Sequence, residues 1–233
     1  YPIVGACLLR AIREVLGAEI ATDEVIAAWA AAYQQLADIL IGAERAVYEQ
    51  TAATEGGWRG ARAFKLVRKE AESAEITSFY LEPVDGGAVI AHQPGQYIGL
   101  RVVVDGLEQR RNYSLSAPAN GKSYRISVKR EAGGKVSNHL HDQLHVGDTL
   151  ELFPPAGHFT LQANAKPLVL ISGGVGITPT LPMLQAALPT GREITFIHCA
   201  RERGVHAFRE KIDALASSHE QLTRRYCYDQ ADA

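Results

Sequence analysis

The chain has 233 residues, enough for one or two domains, and its 46% hydrophobic and 21% charged content is that of an ordinary globular protein. The formal net charge is −2, so no basic excess points to nucleic acid or an anionic membrane as a partner. Three cysteines, Cys7, Cys199 and Cys227, are too few and too far apart to suggest a disulfide framework or a cysteine metal site, and reduced, mostly buried thiols in a cytoplasmic setting are expected.

No apolar run approaches the roughly 20 residues that span a bilayer, and no basic-then-apolar signal peptide opens the chain. The first residue is Tyr1 rather than Met. The chain is therefore expected to begin inside a longer coding sequence or after processing.

Residues 1–50 read as two helices. In the first, Ile3, Cys7, Leu8, Ile12, Val15 and Leu16 recur at three- and four-residue steps, and Gly17 marks the end. Thr22 or Asp23 is placed to cap the second, whose stripe runs Val25, Ile26, Trp29, Tyr33, Leu36, Leu40, Ala43, Val47. One such hairpin cannot bury two broad apolar faces, so further helices or another domain are needed to cover them. Thr51–Gly60 reads as a linker.

From about Ala63 to Phe153 the period changes. Short strand-like runs at Ile76–Glu82, Tyr97–Val104, Asn112–Leu115, Tyr124–Lys129 and Thr149–Phe153 alternate with turn signals such as Asp85-Gly86-Gly87, Pro94-Gly95 and Asn120-Gly121. This spacing predicts an antiparallel barrel or sandwich. From Pro167 on, the apolar run Leu168–Ile171 reads as a parallel strand covered on both faces. A glycine turn follows, then a helix from about Pro179 to Leu188, a strand over 193–199, a helix over 206–216 and a strand over 222–228. That order opens a doubly wound α/β sheet.

Three constellations carry candidate chemistry. Arg111-Asn112-Tyr113-Ser114 lies in a strand, where an Arg fork suits a phosphate, a Tyr ring suits a flat heterocycle and a Ser hydroxyl suits a ring nitrogen. A plain barrel strand with a surface Arg has the same pattern. Gly133-Gly134-Lys135-Val136-Ser137-Asn138 follows a strand ending in two basic residues. It reads as an anion site at a helix start, or as a charged turn capped by Ser137 or Asn138. Gly173-Gly174-Val175-Gly176-Ile177-Thr178-Pro179 joins a buried strand to a helix, where glycines let backbone approach a pyrophosphate. It departs from G-x-G-x-x-G, and a tight turn with glycines at positive φ is the other reading.

In this order, on a barrel followed by a parallel sheet, the three motifs resemble the ferredoxin-NADP reductase superfamily over about residues 60–233. Tyr1-Pro2-Ile3-Val4-Gly5, Ala28–Tyr33 and Glu44–Glu49 resemble the last two globin helices of flavohemoglobins, and Gly56-Gly57-Trp58-Arg59-Gly60 resembles the entry into their reductase portion. The resemblance implies a multidomain chain: globin-type helices over 1–50, an FAD-binding antiparallel β-barrel over 60–165, and the first part of an NAD(P)H-binding α/β doubly wound parallel sheet over 166–233.

By the same resemblance Arg111 would contact the flavin pyrophosphate, Tyr113 would pack on the isoalloxazine and Ser114 would lie near its reactive nitrogen. Asn112 shares that motif. Val136 and Ser137 would help hold the pyrophosphate, and Tyr97 matches a further tyrosine on the FAD side. Gly174, Val175, Gly176, Ile177, Thr178 and Pro179 would form the nicotinamide-nucleotide loop. Tyr1 and Glu44 match a tyrosine and a glutamate that bond around the proximal haem histidine. From the residues alone, Tyr1 reads as a frayed terminus and Glu44 as a solvated helix residue.

The family enzyme passes electrons from NAD(P)H through FAD to haem b, where nitric oxide and O2 become nitrate. In this chain the histidine ligating the haem and the second half of the nicotinamide domain are expected to lie beyond the two ends, leaving that chemistry incomplete. No metal site is expected among the eight histidines, which read as surface or turn residues. Arg201 and Arg203 are candidates for a nucleotide 2′-phosphate, or solvated loop charges. Two other readings share some of these features. A stand-alone flavin reductase or oxygenase reductase component would carry the same motifs without the helical hairpin, and a non-catalytic fragment would use its helical stripe to pair with another chain.

Overall fold

The structure is a computed structural model that describes residues 1–229; the last four residues of the expected third domain lie outside the described residues. The chain divides into two compact units, Tyr1–Ala52 and the chain from Ala53 onward.

The first unit is a helical hairpin of α1 (Pro2–Leu16) and α2 (Asp23–Ala53). Pro2 sits in the first turn of α1, where its missing N–H has no helical partner to lose. Gly17 ends the helix at φ 73°, its N–H bonded to the Arg13 carbonyl. Thr22, rather than Asp23, caps α2, with its Oγ1 3.4 Å from the Val25 N–H. The helices meet where the Tyr33 ring lies over Gly5, and a Cβ there would come within 2.6 Å of the ring. Most of the apolar stripe remains exposed, including Ile3, Val15, Trp29, Leu36 and Val47.

Two expectations about this region are corrected. Thr51–Ala53 belong to α2 instead of the linker, because nothing before Gly56 stops a helix. By length and composition α2 also qualifies as able to cross a bilayer, with a mean hydropathy of 1.3 over its best window. Small and branched apolar residues raise that average even though Gln34, Gln35 and Asp38 interrupt them.

The second unit opens with a six-stranded antiparallel sheet. Its strands are β1 (Arg62–Ala71), β2 (Ile76–Pro83), β3 (Tyr97–Val104), β4 (Leu107–Ser114), β5 (Tyr124–Lys129) and β6 (Thr149–Leu152), in the order β4-β3-β6-β1-β2-β5. A bridge from Leu115 to Ile126 links the two outer strands and closes the sheet toward a barrel. Phe64, Leu66, Phe79, Leu81, Ile98, Leu100 and Tyr124 fill it, and Val136 and Leu140 of α3 (Lys135–Asp142) join the same core.

The strand β1 was not expected. Its alternation runs through charged residues and breaks at a bulge between Leu66 and Arg68. The strand β4 begins at Leu107, five residues before the expected Asn112, because its polar outer residues hide a strand fully paired with β3.

The remainder is a parallel sheet of β7 (Leu168–Gly173), β8 (Ile194–Ala200) and β9 (Leu222–Tyr228), in that order, with α4 (Ile177–Ala187) and α5 (Arg209–Ser218) in the crossovers. The helix α4 starts two residues before Pro179, and α5 starts at Arg209 rather than 206. Leu170, Phe196, Leu181, Leu184, Phe208 and Ile212 form this core, which also takes in Ile76 from the barrel strand β2.

Contrary to the expected two-sided burial of β7, Val169 and Ile171 are 57% and 67% exposed. Among the described residues the helices bury Leu170 and Ser172 on one face and leave the other open. The cysteines are exposed rather than buried, all three as free thiols. Three histidines, His92, His198 and His206, are buried instead of lying at the surface.

Candidate functional site

The register of β3 and β4 builds one side of the site. Tyr97 pairs with Ser114, Ile98 with Tyr113, Gly99 with Asn112 and Leu100 with Arg111. Arg111 and Asn112 are exposed. The Arg111 guanidinium bonds the Arg110 carbonyl at 2.7 Å and, among the described residues, pairs with no carboxylate. Tyr113 packs on the barrel core, and burial pushes its phenol up to about 12. The Tyr97 ring lies against Gly157, where φ is +109° and a Cβ would sit 3.0 Å from the ring.

The second side is the turn before α3. The helix begins at Lys135 with Gly134 as N-cap and no side-chain cap, so its first N–H groups are available to an anion. Neither Ser137 nor Asn138 is the cap residue. The Ser137 Oγ accepts from the Glu131 N–H at 3.3 Å, and the Asn138 amide donates to the Glu131 carbonyl at 3.1 Å; together they fold the turn. A Cβ on Gly134 would fall 2.4 Å from the Ser137 Oγ, so a larger residue there would push that hydroxyl out of the turn. Val136 is buried in the barrel core, leaving only its backbone for a ligand.

This arrangement fits FAD. It offers an unpaired guanidinium and an open helix start for phosphates, and half-buried tyrosine and serine side chains for a ring system.

The third piece joins β7 to α4. Gly174 has φ +51° and opens a single 3-10 turn, Gly174–Gly176, that leads directly into the helix. Gly176 caps α4 without a side-chain bond. The Thr178 hydroxyl donates to the Val175 carbonyl at 2.9 Å and fixes the turn, and Pro179 sits in the first helical turn, where proline is tolerated. The structure thus leaves a second open helix start at the carboxyl end of a parallel strand, where α/β sheets bind nucleotides.

Arg201 is paired with Glu75. Arg203 lines a cleft of about 740 Å3 with Arg68, Tyr80, Arg125 and Phe208, away from the three motifs. In the helical unit, the Tyr1 hydroxyl donates to Glu44 Oε1 at 2.8 Å, so these residues are neither frayed nor merely solvated.

Sequence reasoning missed Arg125. It is buried on β5, donates to Ser116 Oγ at 3.0 Å and to the Ser116 carbonyl, and stacks over Phe208. Ser116 continues into a buried hydroxyl chain through Ser127 to Ser78, each step 2.7 Å. An arginine in an alternating strand reads as outward-facing, and only the tertiary partners reveal it as buried.

Comparison with known proteins accords with this geometry. Residues 63–161 match the oxidoreductase FAD-binding domain family, and residues 170–233 match the oxidoreductase NAD-binding domain family. A flavohemoprotein of Pseudomonas putida is 71% identical over 228 residues, covering 98% of this chain and 58% of the relative. The chain therefore spans less than two thirds of the length of the curated relatives it matches.

Among solved structures, the flavohem-like FAD/NAD-binding domain of nitric oxide dioxygenase from Vibrio cholerae aligns with a TM-score of 0.71 at 39% identity, covering 75% of this chain and 77% of that one. A flavohemoglobin from Malassezia yamatoensis, with bound FAD and heme, aligns with a TM-score of 0.81 at 30% identity over 94% of this chain and 57% of that one. An FAD-type barrel, a nucleotide-type sheet and these relatives converge on one assignment: the chain belongs to the flavohemoprotein family.

Proposed function

We propose that this chain is the reductase portion of a flavohemoprotein, together with two helices of its globin domain. The domains run over 1–50 (globin-type), 60–165 (FAD) and 166–233 (first part of the NAD(P)H domain). The observations that carry this reading are an Arg111 that pairs with no carboxylate among the described residues, beside the half-buried Tyr113 and Ser114 on β4, and the uncapped start of α3 at Gly134.

FAD, when bound, accepts a hydride from NAD(P)H and passes electrons on singly. The residues of this chain hold and orient it. The Arg111 fork and the first N–H groups of α3, around Val136 and Ser137, bind the pyrophosphate. Tyr113 and Tyr97 pack on the flavin, Ser114 offers a hydroxyl to a ring nitrogen, and Asn112 keeps the strand polar beside it. The turn Gly174–Val175–Gly176–Ile177–Thr178–Pro179 takes the nucleotide. In the complete protein haem b would be the acceptor and would supply the chemistry that turns nitric oxide and O2 into nitrate, and the Tyr1–Glu44 pair would orient its proximal histidine. The setting is cytoplasmic, with no membrane span. The apolar stripe of α2 is a globin packing face, a reading supported by the polar Gln34, Gln35 and Asp38 elsewhere on the helix.

The test is absorbance spectroscopy of the purified chain incubated with FAD, desalted and then given NADH without oxygen. Retained flavin that bleaches on NADH addition supports the reading. A chain that is folded by circular dichroism yet retains no flavin contradicts the FAD assignment.

A further inference from the structure

The strands β8 and β9 are parallel neighbours whose register sets Cys199 directly opposite Cys227. Paired residues on adjacent strands project from the same face, and here it is the face that the helices leave open. Both thiols are exposed and free. Neighbouring strands lie about 4.8 Å apart, inside the Cα separation of roughly 4.4–6.8 Å across which a disulfide closes. Shielding from water, and then the neighbouring Cys227, raise the Cys199 thiol above its ordinary value. Gly173, which opens the glycine turn, lies in the same register row as the pair.

We propose that Cys199 and Cys227 form a reversible thiol–disulfide switch that a hydroperoxide closes, tying the carboxyl ends of β8 and β9 together beside the glycine turn. One thiolate attacks a peroxide oxygen. The O–O bond breaks, giving a sulfenic acid and, after protonation, one water. The second thiol attacks the sulfenic sulfur, the S–O bond breaks, the S–S bond forms, and a second water leaves with the remaining protons. Two thiols and one hydrogen peroxide thus become one disulfide and two waters; sulfur is oxidised and peroxide reduced. A small dithiol reverses the step. Because the thiolate is the attacking species and Cys199 holds its proton more tightly than a free cysteine, closure is slow at neutral pH and accelerates as pH rises.

The test uses the full chain with Cys7→Ser, which leaves only the pair. It is treated with hydrogen peroxide at neutral and at mildly alkaline pH, alkylated, digested and analysed by mass spectrometry. The expected result is a monomer lighter by two hydrogen masses, a linked peptide joining Cys199 to Cys227, faster formation at the higher pH, and recovery of both thiols with dithiothreitol. Adding Cys199→Ser or Cys227→Ser, with folding checked by circular dichroism, should abolish the link and leave a sulfenic acid trappable by dimedone. Persistence of both thiols, or their loss as sulfinic acid or as chain-to-chain dimers without the linked peptide, overturns the proposal.

Discussion

The imidazoles of His198 and His206 lie together in the core beneath the parallel sheet, with ring centroids 4.3 Å apart and planes tilted by 32°. His198 Nδ1 bonds the Ser172 hydroxyl at 2.9 Å, and His206 Nδ1 bonds the Tyr228 hydroxyl at 2.8 Å. Tyr226 and Asp213 also lie beside His206, and among the described residues both Nε2 atoms are buried without a hydrogen-bond partner. Burial lowers both rings to about 4; the neighbouring His206 lowers His198 further, while Asp213 partly offsets the effect at His206.

The folded state therefore holds both rings neutral, whereas the unfolded chain titrates near the ordinary ~6.5. Stability from this source is full above about pH 6.5 and is lost as pH falls through about 4, by an order of a few kcal/mol. Urea unfolding across that range should show the midpoint dropping, and His206→Gln should flatten the dependence. A wild-type midpoint independent of pH in this window would refute the account.

Removing the Arg111 fork should weaken FAD binding without weakening the fold, since its hydrogen bond goes only to the neighbouring Arg110 carbonyl. Arg111→Ala is expected to raise the FAD Kd by about 10–100-fold, the worth of a charge-assisted bond, in a flavin fluorescence titration with an unchanged Tm. Arg111→Lys keeps the charge but loses the bidentate fork, and should fall between the two.

Arg125 should behave oppositely. Arg125→Ala strips partners from Ser116 and Tyr80 and removes the stack on Phe208. A loss of about 2–3 kcal/mol in denaturant unfolding is expected from orphaned buried groups. A change below about half a kcal/mol, the range of ordinary surface substitutions, would show that the network contributes little.

The Tyr1 phenol is raised chiefly by its hydrogen bond to Glu44. In a nuclear magnetic resonance titration with ring-labelled tyrosine, Tyr1 should deprotonate above the usual tyrosine range. Glu44→Gln should bring it back down. An identical titration in the two proteins would mean that the bond does not persist in solution.

The elements with a clear period were legible in the sequence. The helix α1, the strands β2, β3 and β5 and the parallel βαβ order all follow from spacing and turn residues. The strand β1 and the first half of β4 were not, because Lys65, Arg68, Glu108 and Arg110 hide a pleat that only pairing reveals. The turns at Gly133 and Gly174, both at positive φ, were legible from their glycines. The adjacency of Cys199 and Cys227, the stacked histidines and the burial of Arg125 depend on which strands become neighbours. No local pattern encodes that.

Gly95 has φ +101°, and a Cβ there would fall 2.0 Å from the Phe159 carbonyl oxygen and 2.2 Å from the Met183 side chain of α4. The turn before β3 therefore presses bare backbone against the nucleotide module, and even one methyl group would wedge the junction apart. This glycine acts as a spacer of zero thickness between the turn and α4. The closeness of that turn to α4 depends on an atom that the sequence leaves out.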